Sequence, residues 1–458
     1  MSSLNIMDEA PVSKFHRKLL IACCGGPFLD GYVLSLIGVA LVGLTADLQV
    51  GPVEAGLIGA SSLIGIFFGA TIFGALTDKI GREKMYALDL TVLVLACFLA
   101  TFVTDAWQLI ALRFILGLAI GADYPIATSL LTEFTPSKKR GFMIGLTGIS
   151  WSLGAMLAFA VGWAMVELSG GYGLWRWMLL SGAILGVIVV LARRGIPESP
   201  RWLLNKGRIT EAEDVIEQVY GKRLDLSAVH PAEEPAALSG TAAFRMLLRG
   251  GYLKRTIMCG ALYFAQITPQ YALYTFGPAI LLAFGLAGGS LDIVGSAVIS
   301  GLFVLGNLPA LKLMDSWGRR PMTVVSLGLM ALPLIALWLF PAGPAWFVIL
   351  AFCFYAFTSG GPSLLEWVYP NELFPTEIRA TAVGLAVGIS RIGAATGTYL
   401  LPIGLASIGV GPTMLIGAII TVAGFLVCLA WAPETKGQSL EATSSLPSPR
   451  SRQFTASH

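Results

Sequence analysis

The sequence predicts an all-α membrane protein with twelve transmembrane helices in two six-helix repeats, and its composition and an internal repeat are the observations that predict this fold. Of the 458 residues, 55% are hydrophobic and only 12% are charged. Soluble domains carry roughly 25% charged residues, so a chain of this composition could not cover a surface that faces water on all sides. We therefore expect the lipid bilayer to surround it.

Twelve apolar runs have a length of about 20 residues, which is what a helix needs to cross the hydrocarbon core. The first run follows Lys14, Arg17 and Lys18. It is longer than the apolar part of a typical signal peptide, so we expect it to stay in the protein. The runs, named span 1 to span 12, cover residues 18–44, 53–77, 84–104, 106–132, 142–166, 176–193, 255–284, 291–313, 321–341, 345–369, 380–404 and 410–431.

Three short charged motifs occur twice in the chain, at intervals of 236 to 239 residues. GALTDKIGREK recurs as LKLMDSWGRRP, the frame Glu-x-x-Pro-x-x-x-Arg occurs twice, and Pro-Glu-Ser returns as Pro-Glu-Thr. Three coincidences at nearly one interval indicate a tandem duplication with six spans in each half. The matched positions are Asp78 and Asp315, Glu133 and Glu372, and Pro197 and Pro433.

The repeat and the polar segments predict the domain organisation. Residues 1–195 form an N-terminal six-helix bundle and residues 255–435 a C-terminal one. Residues 196–254 are polar, with a helical pattern near Thr210 to Tyr220, and are expected to be a cytoplasmic linker with short helices. Residues 436–458 are rich in Ser and Pro without an apolar period, which is typical of a disordered tail.

Lysine and arginine orient the spans, because these residues are enriched in cytoplasmic loops. With both termini in the cytoplasm, 26 of the 30 basic residues fall in cytoplasmic tails and loops. The other four are Arg113, Arg176, Lys312 and Arg391, of which only Arg113 and Arg391 lie deep in their spans. We therefore predict a multi-pass protein with both termini in the cytoplasm.

Several kinds of chemistry are excluded by the sequence. It holds no Gly-x-x-x-x-Gly-Lys-Ser/Thr loop for ATP phosphates, and its six cysteines lie within apolar spans without metal-ligand spacing. The three histidines lie outside the spans, so a proton carrier within the bundle must be a carboxylate. We expect no enzyme, no catalytic residue, no metal, no cofactor and no nucleic-acid partner.

The chain resembles the major facilitator superfamily over nearly all of its length. GALTDKIGREK matches the loop between helices 2 and 3 of that family, except that Glu83 stands where a basic residue is usual. LRFILGLAIG before Glu133, PESPRW at 197–202 and PETKG at 433–437 look like the sugar porter branch. GADYP at 121–125, GISRIGAA in span 11 and LDGY in span 1 are closer to the phosphate, aromatic-acid and organic-ion branches.

Two departures bear on what this resemblance implies. Span 7 carries Gln266-Ile-Thr-Pro-Gln270 in place of the adjacent glutamine pair of typical sugar porters, which weakens a sugar as the substrate. The loop after span 1 is too short for the ectodomain of animal organic-ion transporters, and no Asn-x-Ser/Thr site occurs. The resemblance therefore implies a metabolite:proton symporter of a bacterial inner membrane, which we expect to be a monomer.

Charged residues of the repeated loops are the expected gates. In each half an acid ends an even-numbered span, and a glycine allows a tight turn before an arginine. Charge pairs there would hold the cytoplasmic helix ends together in one state and release them in another. The alternative is solvated pairs that contribute little. The predicted gating residues are Asp78, Gly81, Arg82, Glu133, Arg140, Asp315, Arg319, Glu372 and Arg379.

Asp30, Arg113 and Asp123 are the predicted proton-coupling residues. Asp30 lies about 18 Å into span 1 at 1.5 Å per residue, a depth at which a carboxylate is costly and indicates function. The family resemblance implies Arg113 as its partner, and the alternative is a static brace between the two helices. Asp123 is either a second carrier or a group that bonds to backbone freed by Pro125.

Arg391 gives the sharpest substrate prediction. The repeat matches residues 148–151, which end in a tryptophan, to residues 388–391, which end in Arg391, so the fold does not need a charge there. A guanidinium can bind a carboxylate through two parallel hydrogen bonds, and organic-anion relatives in the family carry a similar arginine. The alternative is an internal ion pair with Asp30 or Glu366; Glu366 itself is expected to be interfacial.

Polar residues of span 7 recur at spacings of three and four, which places them on one helical face. Pro269 is expected to interrupt the helix there, as proline often does at transport sites, although such polar residues also join helices. The predicted substrate-binding residues are Tyr32, Trp151, Tyr263, Gln266, Gln270, Tyr274 and Arg391.

The sequence thus predicts a proton-coupled secondary transporter that imports a small, anionic organic acid by alternating access. A sugar or polyol:proton symporter is the first alternative. An efflux antiporter and a transceptor that signals without net transport are the others.

Overall fold

The structure is a computed structural model that describes residues 11–221, 240–286, 291–438 and 443. Within them the secondary structure is helical. The helices in chain order are α1 Lys14–Asp47, α2 Pro52–Ile80, α3 Arg82–Leu99, α4 Ala106–Phe134, α5 Ser137–Ser169, α6 Trp175–Arg193, α7 Pro200–Asn205, α8 Ile209–Tyr220, α9 Gly240–Leu247, α10 Gly250–Ala283, α11 Leu291–Ser316, α12 Arg319–Leu339, α13 Ala345–Thr358, α14 Gly360–Leu373, α15 Thr376–Ser407 and α16 Val410–Trp431.

The twelve predicted spans are confirmed as twelve long helical segments. Spans 1 to 6 are α1 to α6, spans 7 to 9 are α10 to α12, span 10 is α13 with α14, and spans 11 and 12 are α15 and α16. Ten of these segments are apolar enough over 18 residues to cross a membrane by composition alone. The remaining two, α10 and α15, carry Gln266, Gln270 and Arg391, which lower the mean hydropathy of these helices.

The bend in α10 is not where the sequence places it. The helix continues through Pro269 and departs from helical geometry at Phe276, where φ is −121° and ψ is 18°. Pro278 follows two residues later; it has no N–H for the carbonyl of Tyr274, and its ring disfavours helical geometry immediately before it. The prediction of an interruption at Pro269 is therefore wrong, and the bend lies two turns further along.

Short helices occur between α6 and α10, in the segment that the sequence predicts to be a linker. Ser199 caps α7 by accepting a hydrogen bond from the Trp202 N–H at 3.3 Å, and Pro200 occupies the first turn, where it needs no partner. Ala212 and Ile216 of α8 pack against Trp202 in a small hydrophobic cluster. Residues 222–239, and most of the predicted disordered tail at 436–458, lie outside the described residues.

Glycines allow close helix crossings within the first six helices. A Cβ at Gly31 of α1 would overlap the carbonyl of Trp151, and one at Gly154 of α5 would overlap the carbonyl of Phe28. Small residues in such positions let two backbones approach, which is a common means of helix association in membranes. The crossing places the backbone of Trp151 directly against Gly31, the residue that follows Asp30.

The helices cluster into two compact units. The first contains Met1–Ala232, Tyr271–Val304 and Ala395–Val410, and the second contains Glu233–Gln270, Leu305–Ala394 and Gly411–His458. The first unit therefore includes the second half of α10 and the last residues of α15. The repeat predicts domain boundaries at residues 195 and 255. These boundaries stay a prediction, because the two compact units are not divided at those residues.

Candidate functional site

The two ends of the first unit can be distinguished by their contacts. His16 near the start of α1 donates from Nε2 to the carbonyl of Phe134 at the end of α4, at 3.0 Å. Tyr220 donates to the same carbonyl at 2.8 Å. We call this end, at which α1 begins and α4 and α6 finish, the terminal end, and the other one the far end.

Asp30 lies in the middle of the first unit. Its side chain is fully buried. Helix α1 begins at Lys14 and continues to Asp47, and Asp30 stands sixteen residues after its first residue. At 1.5 Å per residue that is about 24 Å from the terminal end of α1. The side chain is thus held at the depth where a carboxylate is most costly to bury.

Arg113 makes its hydrogen bonds to α2. Its Nε donates to the carbonyl of Ile58 at 2.6 Å, and its Nη2 donates to the Ser62 hydroxyl at 2.9 Å. The cavity beside it is lined on α1 by Val33 and Leu36. Arg113 is seven residues from the far end of α4, about 10 Å at 1.5 Å per residue. These contacts brace α4 against α2, and the partnership with Asp30 stays a prediction of the family resemblance.

Asp123 forms an ion pair that the sequence does not indicate. The distance from its Oδ1 to Arg193 Nη2 is 2.7 Å, and Arg193 Nη1 lies 3.6 Å from Asp89 Oδ1. All three side chains are buried. The charge pattern groups Arg193 with the basic residues of cytoplasmic loops, whereas the structure places it inside the bundle. The signal that could have found it is an arginine in the last turn of a span.

Aromatic side chains gather around Trp151 in the first unit. Its ring centroid is 4.9 Å from that of Tyr274 and 5.7 Å from that of Tyr271, and Tyr274 lies 4.8 Å from Phe303. Tyr32, also predicted to bind substrate, instead shares a hydrogen bond of 2.6 Å with Ser181 of α6. The structure therefore brings Trp151 and Tyr274 together, whereas the Tyr32 hydroxyl hydrogen bonds to Ser181 and does not join them.

The polar face of α10 continues into the second unit. Gln266 donates from Nε2 to Ser363 of α14 at 2.6 Å, and it also hydrogen bonds to Gln270. Tyr263 donates to the carbonyl of Glu366 at 2.5 Å. The predicted face of Tyr263, Gln266 and Gln270 is thus turned toward α14.

Arg391 belongs to the same region of the second unit. It is 9% exposed, and its charge acts on both Glu366 and Tyr263. Glu366 is 4% exposed, and its Oε1 has no hydrogen-bond partner among the residues that the structure describes. The expectation that Glu366 is interfacial is wrong, because α10 and α15 cover it. Tyr263, Glu366 and Arg391 form what we call the Arg391 cluster.

Predicted gating residues of the second unit form a network. Arg319 Nη2 is 3.1 Å from Glu372 Oε1, and the Thr435 hydroxyl donates to Glu372 Oε2 at 2.5 Å. Glu434 accepts from the backbone N–H groups of Arg319 and Arg320 at 3.0 and 3.1 Å. Burial raises the pKa of Glu434, but hydrogen bonds from four backbone N–H groups outweigh it and hold that pKa below its ordinary value.

The two glycines in the repeated turns have the backbone geometry that the motif requires. Gly81 has φ of 110° and Gly318 has φ of 103°, values that L side chains rarely adopt. In each turn the glutamate that follows the last span of the same half, Glu198 or Glu434, approaches the glycine closely. The side chains of Asp78, Arg82, Glu133, Arg140, Asp315 and Arg379 lie outside the described residues.

Contacts at the far end of the first unit join early helices to α10, α11 and α15. Tyr172 donates to Asp292 Oδ2 at 2.6 Å. A Cβ at Gly38 would overlap the carbonyl of Thr275, and one at Gly56 would overlap the carbonyl of Tyr399. These contacts hold α1, α2 and the segment before α6 against α10, α15 and α11 respectively at the far end of the unit.

A twelve-helix bundle with charges buried inside it and paired charges at repeated turns is the architecture of a major facilitator transporter. The profile of the family described as "Sugar (and other) transporter" matches residues 18–446, and the chain belongs to this family. It is a multi-pass membrane transporter and not an enzyme.

Known relatives and structures agree with this assignment. The chain is 42% identical to YaaU of Escherichia coli (strain K12), named as a candidate metabolite transport protein, over 96% of this chain and 97% of that protein. It is 27% identical to the niacin transporter NiaP of Acinetobacter baylyi, over 96% and 99% of the two chains. It is similar in fold to a partially occluded, inward-open structure of the xylose transporter XylE from E. coli, with a TM-score of 0.77, 19% identity and coverage of 93% and 100%.

Proposed function

We propose that this protein is a proton-coupled symporter that imports a small organic acid by alternating access. We further propose that it acts in a bacterial inner membrane with both termini in the cytoplasm. The observation that carries the proposal is the Arg391 cluster, in which a guanidinium is buried among polar groups of α10, α14 and α15.

The chemistry of the cluster favours an anionic substrate. An arginine within the membrane costs at least about 2.5 kcal/mol on insertion scales, and the first half of the repeat shows that a tryptophan fits at the matching position. A carboxylate that binds Arg391 would recover that cost through two charge-assisted hydrogen bonds. Gln266, Gln270 and Tyr263 add neutral donors and acceptors for the rest of a small polar molecule.

Proton coupling is supported by the buried carboxylates of the first unit. Asp30 and Asp123 are each at most 2% exposed. Burial disfavours a charged carboxylate that no cation compensates. A buried acid whose counter-ion changes during transport can therefore couple a proton gradient to substrate movement.

Alternating access is supported by contacts at opposite ends. At the far end of the first unit, the Tyr172–Asp292 hydrogen bond and glycine crossings hold the helices together. In the second unit, Arg319, Glu372 and Glu434 join the repeated turn to the chain after α16. Contacts of both kinds have to break and re-form when a central site changes the side to which it opens.

Two features of the relatives bear on the substrate. NiaP is named for niacin, which is a carboxylic acid, and this favours the organic acid. The family is named for sugars, and the amides of Gln266 and Gln270 could bind hydroxyl groups, which keeps a sugar:proton symporter as the second candidate. The two differ in whether binding requires a negative charge on the substrate.

Uptake into proteoliposomes tests the proposal. Purified protein is reconstituted, an inward proton gradient is applied, and uptake of radiolabelled nicotinate, benzoate, L-arabinose and D-xylose is measured. We expect the gradient to drive accumulation of an acid and a protonophore to abolish it. Accumulation of a sugar without an acid would establish the second candidate instead. Export driven by the same gradient would identify an antiporter, and binding without flux a transceptor; either result would overturn the proposal.

A further inference from the structure

Asp89, Asp123 and Arg193 form a compact buried charge cluster near the terminal end of the first unit. The three side chains come from α3, α4 and α6. The side-chain exposures are 1% for Asp89, 2% for Asp123 and 5% for Arg193. Water therefore does not screen these charges. Each charge must instead be compensated by an opposite charge within the cluster.

We propose that Asp89 and Asp123 share one proton opposite Arg193, which makes the cluster a second proton site next to Asp30. The charges give the first argument. Two ionised carboxylates and one guanidinium would leave a net negative charge buried among helices, which is strongly disfavoured. One proton makes the cluster neutral. Like charges in contact give the same result, because two carboxylates that share a site do not both ionise readily.

The hydrogen-bond pattern gives the second argument and indicates where the proton is. Arg193 is closer to Asp123 than to Asp89, at 2.7 Å against 3.6 Å, so Asp123 takes the ion pair. Asp89 Oδ1 accepts the N–H of Leu90 at 2.6 Å. Asp89 Oδ2 and both oxygens of Asp123 have no hydrogen-bond partner among the described residues. Asp89 and Asp123 act on each other as like charges, and a proton on the unbonded Oδ2 of Asp89 would remove that repulsion.

The surroundings of Arg193 hold the guanidinium in place. It lies 3.5 Å above the ring centroid of Tyr86, and its Nη1 donates to the Tyr86 carbonyl at 3.2 Å. A Cβ at Gly26 of α1 would overlap both Asp123 Oδ2 and Arg193 Nη2. Among the described residues, the titratable groups that interact electrostatically with Arg193 are Asp123, Tyr86, Asp89 and Cys23. No second cation is among them, so one guanidinium faces two carboxyl groups.

The position of the cluster gives it a role in the proposed transport cycle. Gly26 and Asp30 are four residues apart on α1, and thus lie on one face about 6 Å apart along the axis. When the shared proton leaves toward the terminal end, both carboxylates are ionised. An O–H bond of Asp30 can then break while an O–H bond forms on Asp123, which leaves Asp30 ionised. This role rests on the proposed proton coupling, whereas the shared proton itself does not.

Infrared spectroscopy of the purified protein tests the shared proton without any substrate. A protonated carboxyl group has a C=O stretching band that a carboxylate lacks, and deuteration shifts it. We expect the wild type to show such bands at neutral pH and Asp89→Asn to remove one of them. Asp123→Asn should remove the same band, because Asp89 then pairs with Arg193 and ionises. Arg193→Met should add a band, because the second carboxyl loses its counter-ion.

The controls show whether a lost band reflects the shared proton or misfolding, and they do not depend on the proposed function. Asp47→Asn changes an exposed acid that pairs with Arg176, and it should leave all bands unchanged. Wild-type protein without any protonated carboxyl band would overturn the proposal without a variant. So would bands that both Asp89→Asn and Asp123→Asn leave intact in monodisperse protein. Because no transport is measured, the shared proton can be confirmed even if uptake assays reject an organic acid as substrate.

Discussion

The two compact units bury arginine in different ways. In the first unit Arg193 faces two acids: Asp123 lies 2.7 Å from one of its nitrogens and Asp89 lies 3.6 Å from another, while the ring and carbonyl of Tyr86 cover the guanidinium. In the second unit Arg391 acts on Glu366, whose Oε1 has no hydrogen-bond partner among the described residues. Among the described residues, the first arrangement sets two acids against one guanidinium, whereas in the second the guanidinium acts on a single acid. We expect the surplus carboxyl group of the first to hold a proton and the guanidinium of the second to bind an anionic substrate.

Removal of the Arg391 charge should have the largest effect on binding. Loss of one member of a buried, hydrogen-bonded charge pair costs about 2–5 kcal/mol, so Arg391→Ala should nearly abolish binding of the organic acid. Arg391→Lys should weaken it strongly, because an ammonium cannot form the two parallel bonds of a guanidinium. Equilibrium binding of radiolabelled acid to purified protein measures both effects.

Two variants control this experiment. Arg176→Ala removes an exposed arginine of the far end and should leave binding unchanged. Glu366→Gln leaves Arg391 in place but removes the competing carboxylate, so it should bind the acid at least as tightly as the wild type. A neutral sugar that wild type and Arg391→Ala bind equally well would contradict both the site and the substrate class.

Neutralisation of Asp30 should uncouple transport from protons. In Asp30→Asn, accumulation driven by a pH gradient should be lost, while exchange of labelled for unlabelled substrate continues, because exchange needs no net proton movement. The measurement is uptake with and without a gradient, beside counterflow, in proteoliposomes. Asp123→Asn in the same assays separates one carrier from two. Unaltered gradient-driven accumulation in Asp30→Asn would exclude it as the carrier.

Space at Gly26 should decide whether the cluster of Asp89, Asp123 and Arg193 can form. Gly26→Ala places a methyl group where Asp123 and Arg193 meet, and overpacking of this kind costs typically about 1–3 kcal/mol. We expect a lower thermal unfolding temperature in detergent. The matched control is Gly145→Ala in α5, where a Cβ meets nothing within 4 Å; helix propensity makes that change neutral or stabilising. Equal temperatures for the two variants would show that the cluster has room to adjust.

Replacement of Glu434 should have the smallest effect on stability, and this effect should disappear at acidic pH. The pKa of this group is lowered in the folded protein by hydrogen bonds from backbone N–H groups. Its contribution to stability is therefore present above the ordinary glutamate value of roughly 4.3, and it is lost as the pH falls through the lower folded value. Unfolding temperatures from pH 7 down to pH 3 should converge for wild type and Glu434→Gln. A difference that persists or grows toward low pH would contradict this sign.

Particular residues show where sequence reasoning succeeded and where it failed. The spans, the paired motifs and the burial of Asp30 follow from local patterns, and the structure agrees with them. Arg193 stands at the end of a span and is indistinguishable in sequence from a solvated basic residue, so the sequence does not indicate its pairing with Asp123. The sequence predicts an interfacial position for Glu366 for the same reason. It also predicts the bend of α10 at Pro269, although Pro278 is the proline next to which the helix departs from regular geometry.

The sequence by itself determined the membrane environment, the twelve helices, the duplication and the transporter family, because hydrophobic length and motif spacing are local properties that no packing arrangement alters. Only the tertiary structure decided which buried charges meet. Asp89, Asp123 and Arg193 are 34 and 70 residues apart along the chain, and Glu366 and Arg391 lie on different helices. Such pairings depend on the rotation and crossing of whole helices, which glycines such as Gly26 and Gly31 permit but do not specify.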